Sequence, residues 1–271
     1  MKYLCASMLL ASGLAYGQTC PTVPPVPVGA TALGYTTQLF FDEPTLADVS
    51  STDTDTKSNL YPGAFSNSVS ANLASRGLMS TVNSQLAIGL GSGVNTETRY
   101  STAGGLPLLN GAQGFYVEFA MSLSSNDSDH FTGLFLETAE HDLAKHDHLP
   151  SDPAGYERWT EIDVSEAGYG PGSLATYIDW QGIYPHYASK SFNDYGHDAA
   201  IDWTVEHRYG LSYDPAANVL QWYIDDKPTW KQVATNAVVQ NFHYYLVMEA
   251  SSHGSHVPYD MYIHYIRAYT K

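Results

Sequence analysis

The chain has 271 residues, enough for one large all-β domain or two small ones, and its 44% hydrophobic content supports a sizeable core. Its formal charge is −16, from 28 acidic against 12 basic residues. Such a surface repels phosphate backbones and anionic lipid, which argues against nucleic-acid and membrane partners and favours an uncharged one.

Residues 1–17 read as a secretory signal peptide. Lys2 supplies the positive start, Tyr3 to Ala15 an apolar run, and Ala15 and Gly17 the small residues before a cleavage point at Gln18. The run is shorter than the roughly 20 residues needed to span a bilayer, so the expectation is a secreted protein, extracellular or periplasmic. A monomer is expected, although the sequence itself leaves the oligomeric state open. Cys5 falls within the signal and leaves Cys20 alone, so no internal disulfide is expected. Residues 18–34 are proline-rich and read as an extended linker, with a single domain over 35–271.

From Tyr35 onward the pattern is one of strands. Residues 44–58 and 64–85, rich in Ser, Thr, Asn and Asp, read as loops with short strands between them. Phe115, Val117, Phe119, Met121 and Leu123 alternate with Tyr116, Glu118, Ala120 and Ser122, which predicts a half-buried strand. The polar stretch 137–158 predicts a long loop. Residues 209–213 and 219–225 flank Asp214-Pro215-Ala216-Ala217-Asn218 and predict a hairpin. Further strands are predicted over 244–250 and 261–269. Many short strands, turn residues between them and no helical period predict an all-β fold, a two-sheet antiparallel sandwich or jelly roll.

Three acids crowd one short segment, Glu161-Ile162-Asp163-Val164-Ser165-Glu166. Acids are poor strand formers, so this clustering needs a reason. In a plain strand Glu161 and Asp163 share a face and Glu166 points away. A β-bulge near Val164-Ser165 adds one residue, brings all three carboxylates to one surface and leaves Ile162 and Val164 for the core. Paired carboxyl groups about 5–5.5 Å apart are what retaining cleavage of a glycosidic bond requires. The other readings of the cluster are a solvated acidic edge and a calcium site.

The segment resembles the signature of glycoside hydrolase family 16, the laminarinase-like branch of the concanavalin A-like jelly rolls. An ordered set of weaker likenesses extends along the chain. They are Phe40-Phe41-Asp42-Glu43, Gly114 to Glu118, His130 to Leu136, His207 to Leu211 with Trp222 to Pro228, and Met261 to Tyr269. The resemblance implies Glu161 as nucleophile, Asp163 as assisting acid and Glu166 as general acid/base. It also implies retaining endo-hydrolysis of a β-linked glucan or galactan in an open cleft, with a polysaccharide as the partner. The family often binds a structural calcium through an acid of the closing strand. Here His264 stands at that place, which counts against calcium although Glu43 is still near, and no cofactor is expected. The tryptophans usual in the strand around Phe131–Leu136 are missing, which implies altered sugar subsites.

Four further residues are candidates for holding the sugar. Trp159, two residues before Glu161, is a stacking platform on the same face. Trp180 and Tyr184 follow a Gly/Pro turn after the acidic strand. Glu249 shares a strand face with Tyr245, Val247 and Ser251. His141, His146 and His148, with Asp142 and Asp147, lack zinc-motif spacing and read as a solvated loop. His253 and His256 flank Gly254 with no assigned role. The alternative to an enzyme is a lectin-like, non-catalytic sugar-binding protein on the same fold, although such proteins usually lose one of the acids.

Overall fold

The computed structural model describes residues 24–52, 55, 57–63, 73–96, 105–143, 151–195, 200–234 and 239–271. The predicted signal peptide lies outside the described residues, as do the first residues of the predicted linker and His146, Asp147 and His148. Among the described residues no helix is long and apolar enough to cross a membrane.

Two antiparallel sheets of eight strands each pack face to face. The first, called the acidic sheet below, runs in the order β11 (His186–Tyr195), β10 (Leu174–Ile183), β9 (Tyr156–Glu166), β8 (His130–Thr138), β15 (His243–Ser252), β5 (Ser92–Asn95), β2 (Tyr61–Pro62). The short β6 (Leu109–Asn110) also pairs with β15. The second sheet runs β14 (Lys227–Val233), β13 (Val219–Ile224), β12 (His207–Asp214), β7 (Phe115–Leu123), β16 (Asp260–Thr270), β4 (Gln85–Gly89), β3 (Met79–Val82), with β1 (Thr37–Asp42) on β16. This is the two-sheet sandwich that the alternation predicts.

Period-two patterning sets the core. Leu134 and Leu136 of β8, Ile162 and Val164 of β9, Ala175 and Tyr177 of β10, and Leu246 and Met248 of β15 meet Val117, Phe119, Leu211, Trp222 and Ile266 of the other sheet. The opposite parity on β8, β9, β10 and β15 therefore forms the outer face of the acidic sheet.

Strand β7 departs from the expectation of a half-buried strand, because both its faces are buried. The cause is the segment read as a linker. Residues 24–35 are docked on the outer face of the second sheet, with a short helix at Val28–Ala32. Ala30 and Tyr35 pack with Tyr116, Tyr223 and Tyr269. Gly29 lies so close to the rings that an added Cβ would stand 2.7 Å from Tyr223. The prolines stiffen a strap here rather than a free tether.

The closing strand bears on the implied calcium. His264 Nδ1 lies 2.6 Å from Gln85 Nε2 and 3.1 Å from a Glu206 carboxylate oxygen, and Nε2 lies 2.9 Å from Ser122 Oγ. Calcium takes a cage of oxygen ligands, and an imidazole with both nitrogens engaged does not fit one.

Candidate active site

The acids are arranged by a bulge and a register. Between Asp163 and Glu166 strand β9 advances three residues while β10 advances two, from Thr176 to Leu174. On the other side β8 also advances two, from Phe135 to Gly133. The extra residue falls at Val164-Ser165 and returns Glu166 to the face of Glu161 and Asp163. The bulge is pinned from within. Trp222 Nε1 of the second sheet donates to the Asp163 carbonyl at 2.8 Å, and the buried Ser165 hydroxyl meets Ser173 Oγ at 2.8 Å.

Register then maps the outer face row by row. Glu166, Gly133 and Glu249 form one row; Thr176, Asp163, Phe135 and Val247 the next; Ile178, Glu161, Glu137 and Tyr245 the third. Trp180 and Trp159 pair in the fourth, and Gly182 and Glu157 in the fifth. Five carboxylates thus stand in three consecutive rows, and no Lys or Arg occupies these rows. The β15 side is walled off, since Phe135, Ala139, Tyr245 and Val247 form a buried apolar cluster under Leu108.

Burial acts on every acid of the signature, and repulsion from neighbouring acids adds to it at Asp163 and Glu166. Burial pushes the Glu166 carboxyl up to about 8, with further contributions from Glu161 and Glu249. Burial, then Glu166, Glu161 and Glu137, holds Asp163 well above the usual carboxylate range. Burial raises Glu161 too, but the indole N–H of Trp180 works against it. That N–H is buried and closes no hydrogen bond of full geometry, yet it is near enough to favour the Glu161 charge. The environment therefore separates the outer two acids. Glu166 holds a proton near neutrality, and Glu161 is the one given help to ionise.

The raised Glu166 predicts how stability changes with pH. The folded protein binds this proton more tightly than the unfolded chain, so its contribution is full below about pH 4.5 and is lost as pH rises through about 8. Glu166→Gln should therefore be more stable than the wild type at pH 8 by an amount on the order of a few kcal/mol. The advantage should shrink toward pH 5 in thermal denaturation followed across that range.

The candidate sugar-holding residues divide into three groups. Trp180 stacks on Trp159 with ring centroids 5.6 Å apart and planes within 6°. The other face of Trp159 carries His141, stacked at 3.9 Å. Trp159 is therefore sandwiched, and its faces are closed to a sugar by these neighbours. His141 belongs to the short helix Ala139–Leu143, which stands where an unstructured loop was expected. Tyr184 lies at the tip of the β10–β11 hairpin, 75% exposed, and reaches the tryptophans through Tyr187. Glu249 sits in the row of Glu166. Two features escaped sequence reasoning. Glu137 lies directly across from Glu161, and a trio of rings, Phe131, Tyr169 and His253, meets beyond Glu166 at centroid distances of 5.7, 5.3 and 4.9 Å. Phe131 lay in a stretch read as a strand, but Glu137 fell in the stretch read as a loop, and the register that brings both to the acids leaves no mark in the sequence.

No protein-family model matches the chain, and no curated protein matches it. Solved structures do. An endo-acting O-glycanase structure, from work on mucin breakdown by the human gut microbiota, superposes with a TM-score of 0.55 at 15% identity, over 87% of this chain and 100% of that one. The κ-carrageenase of Pseudoalteromonas carrageenovora, bound to a carrageenan oligosaccharide, gives 0.53 at 12% identity over 72% and 83%. A laminarinase from Flavobacterium sp. UMI-01 gives 0.51 at 12% identity over 86% and 100%. The chain has the jelly-roll fold of these glycoside hydrolases. That is the architecture the resemblance to family 16 implied, with strand β9 carrying an intact acid triplet.

Proposed function

We propose that the protein is a secreted retaining endo-glycosidase that cleaves an uncharged β-linked polysaccharide, a β-1,3- or mixed β-1,3/1,4-glucan before a galactan. The observation that carries the reading is the bulge at Val164-Ser165, which sets Glu161, Asp163 and Glu166 on one face. Ionised Glu161 attacks the anomeric carbon while protonated Glu166 gives its proton to the departing glycosidic oxygen. A glycosyl ester forms on Glu161. Glu166, now a carboxylate, takes a proton from water, whose oxygen attacks the same carbon and frees Glu161. Asp163, between them, orients and electrostatically supports the pair. Trp180, with Trp159 behind it, and Tyr184 offer aromatic surface along one side, and Glu249 offers a hydrogen-bond acceptor on the other.

The charge of the face supports the choice of substrate. Five carboxylates without a Lys or Arg among them repel a sulfated chain. Laminarin and mixed-linkage glucan should yield new reducing ends on incubation with the protein, and carrageenan should not. Cleavage of carrageenan alone would overturn the substrate assignment. Binding of every glycan with turnover of none would favour a lectin.

A further inference from the structure

Glu249 is placed by two glycines. Glu166 of β9 pairs with Gly133 of β8, and Gly133 pairs with Glu249 of β15. Adjacent strands lie about 4.8 Å apart, so the two glutamates start with Cα atoms about 10 Å apart and no side chain between them. A Cβ built on Gly133 would come 3.2 Å from Glu249 Cγ and 2.9 Å from Phe135 Cε1. The Glu249 chain therefore lies over Gly133, close to the line toward Glu166. On its far side Glu249 pairs with Gly93, where a Cβ would come 2.9 Å from that of Glu249. A side chain at Gly133 would press on the Phe135 ring and on the Glu249 stem, and one at Gly93 on the Glu249 Cβ.

We propose that Glu249 is a positioning residue for Glu166: across the gap at Gly133 its negative charge holds the general acid in the protonated form and sets the alkaline limit of the reaction. This rests on the glycosidase reading of the same site. The other acids on this face beside Glu166 are Asp163 and Glu161 on its own strand, and the ring trio of Phe131, Tyr169 and His253 lies beyond them. β10 contributes Leu174 and Thr176, which carry no charge. Of these, His253 is the one basic side chain, and it belongs to the ring trio rather than to the rows of acids. The acids act in one direction: a like charge nearby disfavours ionisation of Glu166. Glu249 is the acid of this set that stands outside the signature segment, so it can be changed with the triplet left whole.

The test is Glu249→Gln, which keeps shape and removes charge. The alkaline limb of the kcat/KM profile should move down by about one pH unit. The carboxyl ¹³C resonance of Glu166 should titrate lower by a matching amount, a readout that needs no substrate. Glu249→Asp should restore part of the shift, and Gly133→Ala, which presses on the Glu249 stem, should move the limb in the same direction as Glu249→Gln. An unmoved Glu166 midpoint in Glu249→Gln would overturn the proposal, as would a loss of rate equal at every pH. A shifted midpoint in a protein that hydrolyses no glycan would overturn the glycosidase reading and uphold the pairing of the two acids.

Discussion

Glu161→Ala should lower kcat on a β-glucan by roughly 10⁴- to 10⁶-fold, and azide should restore turnover with an α-glycosyl azide as product. The reasoning is geometric. Alanine opens a space under the anomeric carbon where a small anion can attack from the side the carboxylate used. One displacement then replaces two, and configuration inverts. Glu166→Ala should behave differently. Loss of a general acid costs about 10²- to 10⁴-fold, least for substrates whose leaving group needs no proton. Azide then reacts with the ester on Glu161 in place of activated water, and the product is the β-azide. The two variants should thus give opposite anomers from one substrate, separable by proton NMR. A β-azide from Glu161→Ala would reverse the roles of the two acids. The assignment tested is the one drawn from the electrostatics, in which Trp180 favours the charge on Glu161 and burial with like charges keeps the proton on Glu166.

How much of this was legible in the sequence depends on the distance over which each feature is determined. The strands over 115–123, 209–225, 244–250 and 261–269 follow from local alternation and turn residues, and they appear as β7, β12 with β13, β15 and β16. The bulge was legible for a similar reason: acids at i, i+2 and i+5 share one face only if one residue is extra. The strap was not. Prolines at 24, 25 and 27 look the same in a tether as in a docked segment. What decides between them is the set of rings at Tyr116, Tyr223 and Tyr269, brought together from three strands. The neighbours of the acids were hidden for the same reason. Glu137 and Glu249 reach the site through pairings of β8 with β9 and with β15, and register between strands leaves no mark within either strand. Trp159 shows the converse. Its place beside Glu161 was readable, whereas the closing of its faces by His141 and Trp180 was a matter of packing.

The strap also covers a fully buried ion pair. Arg267 and Glu118 face one another on β16 and β7, with side chains 0% and 1% exposed. Arg267 Nε donates to Glu118 Oε1 at 2.8 Å, and Nη2 lies 2.6 Å from the same oxygen. The hydroxyls of Tyr265 and Tyr116 donate to the Glu118 carboxylate at 2.8 and 3.1 Å. Nη1 donates to the Pro24 and Pro25 carbonyls at 3.0 and 2.9 Å, so the strap supplies the acceptors for one arm of the cation. A buried pair contributes little net stability against a well-packed apolar replacement, but removing one partner strands the other. Arg267→Met should therefore cost about 3–5 kcal/mol, and melting should fall by about 10 °C. Glu118→Gln combined with Arg267→Met should recover much of that loss, because no buried charge remains. If the double variant were as unstable as the single one, packing of the Arg267 stem would be the cause, and the charge would not. The pair sits on the sheet that does not carry the acids. Activity per folded molecule at low temperature should therefore match the wild type in both variants, which separates the stability of the scaffold from the chemistry of the opposite sheet.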